Sequence, residues 1–135
     1  MALQYSVTVR NAQLDAVETT VGTAPLLRIY SGSAPANCAA AASGTLLAEA
    51  TLPSDWMAAA SSGSKALSGT WQDASANATG TAGHWRLYDS SGTTCHAQGT
   101  VTATGGGGDM TLDNTSIASA QSVTITSFTI TAGNA

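Results

Sequence analysis

This chain carries little charge. Only 9% of its 135 residues are Asp, Glu, Lys or Arg, against roughly 25% in ordinary soluble domains. Its surface must therefore be built from Thr, Ser, Ala, Gly and Asn, which suits a protein packed against neighbours. Basic residues are scarcest: Arg10, Arg28, Lys65 and Arg86 are the whole set, and they do not cluster. Nucleic-acid binding needs a basic stripe that neutralises phosphates. None is encoded, so DNA and RNA are rejected as partners, and the same shortage argues against an anionic membrane surface. No apolar run approaches the roughly 20 residues of a membrane span. The opening Met1-Ala2-Leu3-Gln4-Tyr5-Ser6 has neither a basic n-region nor an apolar h-region, so no secretory signal is expected. The chain is expected to be made in a cytoplasm and to leave it, if at all, by a route such as lysis.

Cysteine is nearly absent too. Cys38 and Cys95 are the only two, and neither lies in a C-x-x-C or other ligand spacing. Cytoplasmic synthesis disfavours their pairing, so two free, partly buried thiols are expected. Aromatic residues are few: three Trp, three Tyr and one Phe. Trp56, Trp71 and Trp85 offer stacking surfaces for a sugar, but in so aromatic-poor a chain they are expected to anchor the core.

Catalytic signatures are missing as well. No G-x-S-x-G elbow accompanies the many serines, and no Gly-Lys-Ser/Thr follows the glycine run at 105–108. His84 and His96 flank a strand pair and, with Asp89, could be imagined around a metal, yet no H-x-H or H-x-x-x-H spacing exists; hydrogen-bonded structural histidines are expected instead. Asp109 and Asp113 beside the glycine run invite a weak calcium site, but glycine-rich calcium sites are built from stacked repeats and this run occurs once. A tight inter-strand loop is the expected reading. No enzyme activity, cofactor or metal is expected.

What is present is enough to fold: 43% hydrophobic residues in a length that suits one core. Residues 1–22 stand apart from the rest. Val7, Arg10, Leu14, Val17 and Val21 recur at helical spacing, Ser6 is placed to cap the start, and Gly22 sits where a helix ends. One short amphipathic helix is expected, with Asp15 and Glu18 on its outer side. Its seam either packs on the domain's own core or serves as an arm that docks on a neighbouring subunit, and those five residues are the candidate interface.

Residues 23–135 read as strands. Short β-rich runs fall at 26–30, 45–52, 56–57, 65–72, 84–88, 93–102, 110–112 and 123–131, separated by turn residues. The pair around Asp89-Ser90-Ser91-Gly92 is the clearest hairpin. In the last run Val123 and Ile125 differ in parity from Phe128 and Ile130, so a bulge near Ser127 or cover on both faces is expected. The alanine-rich segment 32–44 and residues 73–83 are expected as surface loops. Eight short strands at this spacing argue for an antiparallel β-sandwich or jelly-roll-like barrel with a short N-terminal α-helix.

Several stretches carry a resemblance. They are Arg10-Asn11-Ala12-Gln13-Leu14-Asp15, then Leu27-Arg28-Ile29-Tyr30-Ser31-Gly32, Gly83-His84-Trp85-Arg86-Leu87-Tyr88-Asp89, Gly108-Asp109-Met110-Thr111-Leu112-Asp113-Asn114, and the Val123-to-Thr131 ending. In this order the chain resembles the capsid cement, or decoration, proteins of tailed bacteriophages. The likeness spans nearly the whole chain and rests on structural rather than catalytic motifs. It implies a β-sandwich or jelly-roll-like protein, synthesised in the host bacterial cytoplasm, that sits on the virion's outer capsid surface. There it would clamp adjacent subunits of the major capsid protein, usually as a dimer or trimer. A tail, fibre or head-fibre component and a carbohydrate-binding or adhesin domain are the alternative expectations.

Overall fold

A computed structural model describes residues 2–133. The chain opens with α1 (Val7–Val21), followed by β1 (Leu26–Ser31), β2 (Leu46–Thr51), β3 (Ser64–Ala66), β4 (Trp71–Asp73) and β5 (Gly80–Tyr88). Then come β6 (Cys95–Ala103), β7 (Met110–Leu112), β8 (Ser116–Ile117), β9 (Val123–Ile125) and β10 (Thr129–Thr131). The protein is mainly β. Of the eight expected runs, 65–72 and 123–131 each split into two strands, 56–57 makes only a single bridge from Met57 to Leu67, and β8 is additional.

Both caps of α1 are as expected. Ser6 Oγ accepts from the Val9 N–H, and the Gly22 N–H donates to Glu18 O at a backbone φ of +91°. Between the caps stand seven β-branched residues, Val7, Thr8, Val9, Val17, Thr19, Thr20 and Val21. Such residues lose side-chain freedom in a helix, so a 15-residue helix of this composition is held by what it docks against rather than by its own propensity.

The central sheet has the order β2-β1-β5-β6-β7, with β8 on the start of β5. β1, β2, β5 and β6 pair antiparallel, and Arg28 faces Glu49 across the β1–β2 ladder in a 2.6 Å ion pair. The expected hairpin is β5–β6; Asp89 Oδ1 holds its turn by accepting from Ser91 Oγ and from the Thr93 and Thr94 N–H groups. β7 instead pairs parallel with β6. Parallel neighbours ordinarily need a crossover of a dozen or more residues. Here the six residues 104–109 suffice, because Gly105 and Gly107 take φ of +88° and +80° and fold the return tightly.

Two small sheets, β10–β3 and β4–β9, share one hydrophobic core with the central one. The phase change expected near Ser127 is achieved by leaving one sheet for the other: β9 pairs with β4, residues 126–128 cross over, and β10 pairs with β3. Phe128 at that crossing links the sheets. Its ring lies 5.3 Å from Trp85 of β5, edge-on, and 5.5 Å from Trp71 of β4, which in turn lies 6.0 Å from Trp56. Strand β5 is covered on both faces, so His84 through Tyr88 are five consecutive buried residues rather than an alternating set. It also begins at Gly80, inside the segment expected to be a loop.

Gly99 faces Trp85 across the hairpin, and a methyl there would meet Trp85 Nε1 and Asp109 Oδ2, each at 2.8 Å. Gly99→Ala is therefore expected to destabilise the fold by about 1–3 kcal/mol, measured by urea unfolding, while Gly107→Asn, at an open turn position, should change stability far less.

Candidate interaction surface

The five candidate interface residues separate in the structure. Leu14 and Val21 are buried against the β domain, Arg10 is half-buried, and Val7 and Val17 are exposed. Arg10 is committed inside the molecule, with Nε–H donating to Ala132 O at 2.7 Å. The face that docks is largely polar. Asn11 Oδ1 accepts from the Gly63 N–H at 2.9 Å, Asp15 Oδ1 from the Ala60 N–H at 3.3 Å, and Glu18 Oε1 from the Met57 N–H at 3.3 Å. Trp56 Nε1–H reaches across to Gly22 O at 2.9 Å.

At the centre of this contact is Lys65 on β3, only 2% exposed. Its Nζ donates to Asp15 Oδ1 at 2.7 Å and to Ala58 O at 2.8 Å, and it pairs with Glu18 Oε2 at 2.8 Å. The three ammonium protons thus each have an acceptor. Asp15 and Glu18 consequently face inward, where the sequence reading placed them on the outer side. Three residues apart, they share one helix face, and the burial of Lys65 decides which way that face points. The Lys65 hydrogen bond and the Ala60 N–H lower the Asp15 pKa from its ordinary value. Burial works to lower that of Lys65, but Asp15 and Glu18 outweigh it and the net shift is upward.

Leu3, Tyr5, Val7, Val9 and Val17 are the exposed large hydrophobics among the described residues, at 37–72% exposure, and all fall between positions 3 and 17. A shallow groove of about 300 Å³ runs from Gln13, Ala16, Val17 and Thr20 to His96 on β6.

The remaining candidates do not converge. His84 is wholly buried, stacks on Tyr30 at 5.2 Å, and holds Nδ1 2.9 Å from Gly32 O. It pairs with Thr100, whereas His96 lies near the other end of the hairpin beside the Tyr88–Cys95 pair. The Asp109 carboxylate accepts from the Thr100 N–H and hydroxyl, bracing the β6–β7 return. Among the described residues no group of three or more His, Cys, Asp or Glu is placed to hold a metal ion. All three tryptophans are buried, so none presents a ring for sugar stacking. No described helix is long and apolar enough to cross a membrane.

No family model, curated protein or solved structure matches the chain.

Neutralising both carboxylates in Asp15→Asn/Glu18→Gln leaves Lys65 buried without a counter-ion. The variant is expected to unfold at a lower urea concentration than the wild type, because a buried ammonium is left without an anion. Adding Lys65→Met should recover most of the loss. Because the Asp15 pKa is depressed, its contribution is present above the ordinary 3.8 and lost as pH falls through the folded value. The raised Lys65 value keeps its contribution below 10.5 and loses it as pH climbs beyond. Urea unfolding across pH should therefore show an acid-side loss that shrinks in Asp15→Asn.

Proposed function

We propose that this chain is a structural component of a tailed-phage particle, a cement protein that binds the outer capsid surface and clamps adjacent major-capsid-protein subunits. The observation that carries the reading is the confinement of exposed large hydrophobic residues to positions 3–17, on and just before a helix whose other face is fastened to the body of the protein. Exposed large hydrophobic side chains gathered in one segment of an otherwise polar, charge-poor chain mark that segment for a protein–protein contact. The resemblance of the sequence to cement proteins supplies the kind of partner. In this reading the layered β domain is a β-sandwich or jelly-roll-like body, copies associate as a dimer or trimer, and the protein resides on the virion surface after synthesis in the host cytoplasm.

Cementing is a matter of linkage. A protein that binds the assembled lattice better than free subunits shifts the equilibrium toward assembly by mass action, and many weakly bound copies on one shell act together.

The test is binding to shells purified without this protein. Leu3→Asp/Val9→Asp alters two exposed side chains and should leave the melting temperature nearly unchanged. Each lost apolar contact is worth roughly 1–2 kcal/mol, so shell affinity is expected to fall about 100-fold, with the heat resistance of the loaded shells falling alongside. Wild-type binding by the double variant would sink the proposed surface. Absence of any binding by the wild-type protein, or a copy number of one ring per particle, would sink the cement assignment itself.

A further inference from the structure

Two of the molecule's basic side chains are fully buried, and they are treated differently. Lys65 has two carboxylates. Arg86, 1% exposed in the middle of β5, has none: no described acidic residue bridges to it, and Nη1 has no hydrogen-bond partner. What contacts it instead is one thiol, two backbone carbonyl groups and the Tyr88 ring. Arg86 Nε–H donates to Cys95 Sγ at 3.3 Å, and Nη2 donates to the carbonyl oxygens of Cys38 at 2.8 Å and Ala40 at 2.9 Å. The Cys95 thiol itself donates to Ala97 O at 3.3 Å. One guanidinium therefore holds together the alanine-rich 32–44 loop, which carries Cys38, and the first residue of β6, Cys95. Both cysteines are half-buried and line the same open cavity of about 320 Å³.

A cation without a carboxylate, placed against a sulfur, stabilises the negative charge that sulfur must carry to attack a disulfide. We propose that Cys38 and Cys95 are a redox-active pair that oxidises to an intramolecular disulfide, fastening the 32–44 loop across β5 to β6. The free thiols expected from cytoplasmic synthesis are the reduced form of this pair. The oxidant is a low-molecular-weight disulfide of the glutathione type. Cys95 loses its proton and attacks one sulfur of the oxidant, expelling a thiolate that takes up a proton and leaving a mixed disulfide on Cys95. Cys38 then loses its proton and attacks the Cys95 sulfur, the mixed disulfide breaks, and a second small thiol leaves. Two protein thiols are oxidised and one small disulfide is reduced to two thiols. Burial and the neighbouring Cys95 thiol raise the Cys38 pKa from its ordinary value, with Arg86 opposing, which suits Cys38 to the second, resolving attack.

The inference is independent of the proposed function and is tested on the full-length protein alone. Protein purified reduced is incubated with oxidised glutathione at neutral pH, and its mass, free thiols and melting temperature are followed. The expected product is a monomer lighter by about 2 Da, with no titratable thiol and one linked peptide containing Cys38 and Cys95. The bridge closes a long loop in the unfolded chain, so the melting temperature should rise by about 10 °C and return on reduction. Cys38→Ser should stop at a glutathione adduct on Cys95 with no such rise. Persistence of both thiols, a stable adduct on the wild-type protein, or a crosslink between two copies would each overturn the proposal.

Discussion

The orientation of α1 rests on one buried ammonium group. An unpaired cation inside a protein costs several kcal/mol, so once Lys65 is enclosed beneath the helix it must find carboxylates, and Asp15 and Glu18 are the two that reach it. Their inward turn fixes the helix about its axis. With Asn11, Leu14, Asp15, Glu18 and Val21 committed to the domain, the side of α1 carrying Val9 and Val17 has only solvent or a partner to face. The exposure of these valines thus follows from a docked face that mixes Leu14 and Val21 with the polar Asn11, Asp15 and Glu18.

The body beneath α1 is held by a different device. Trp85 from the central sheet, Trp71 from β4 with Trp56 beside it, and Phe128 at the crossing between the small sheets bring four of the chain's seven aromatic side chains into one cluster. Strand β5 runs through it and is closed on its second face by the 32–44 loop, whose carbonyl groups accept from Arg86. Covering both faces of a strand demands partners for every polar side chain there. His84 Nδ1 finds Gly32 O and Arg86 finds two carbonyls and a thiol, while His84 Nε2, Trp85 Nε1 and Arg86 Nη1 are left without a partner.

Much of this was readable from residues alone, where local chemistry decides. Ser6 and Gly22 mark the helix ends, Asp89 marks the hairpin turn, and the scarcity of aromatics marks the tryptophans as core. What was not readable depends on contacts between distant segments. The 3–4 spacing of Val7, Arg10, Leu14, Val17 and Val21 identifies a helix but not the face it buries; the deciding residue, Lys65, lies 44 positions beyond Val21. Alternation along 84–88 describes one covered face and cannot anticipate a loop arriving on the other. The parity change at Ser127 was visible, yet its resolution as a crossing between two sheets required β3 and β4 to be in place. A parallel β6–β7 pair runs against ordinary connection lengths and is made possible by the glycine run.

In the proposed role, residues 3–17 form the binding surface and the rest of the protein serves to present them. Amide hydrogen exchange compared between the free protein and the protein bound to capsid shells tests it most directly. The account predicts added protection concentrated in residues 2–20, with the β5–β6 turn and the 104–109 return unchanged. Protection appearing at those loops, with α1 and the segment before it exchanging as in the free protein, would contradict it.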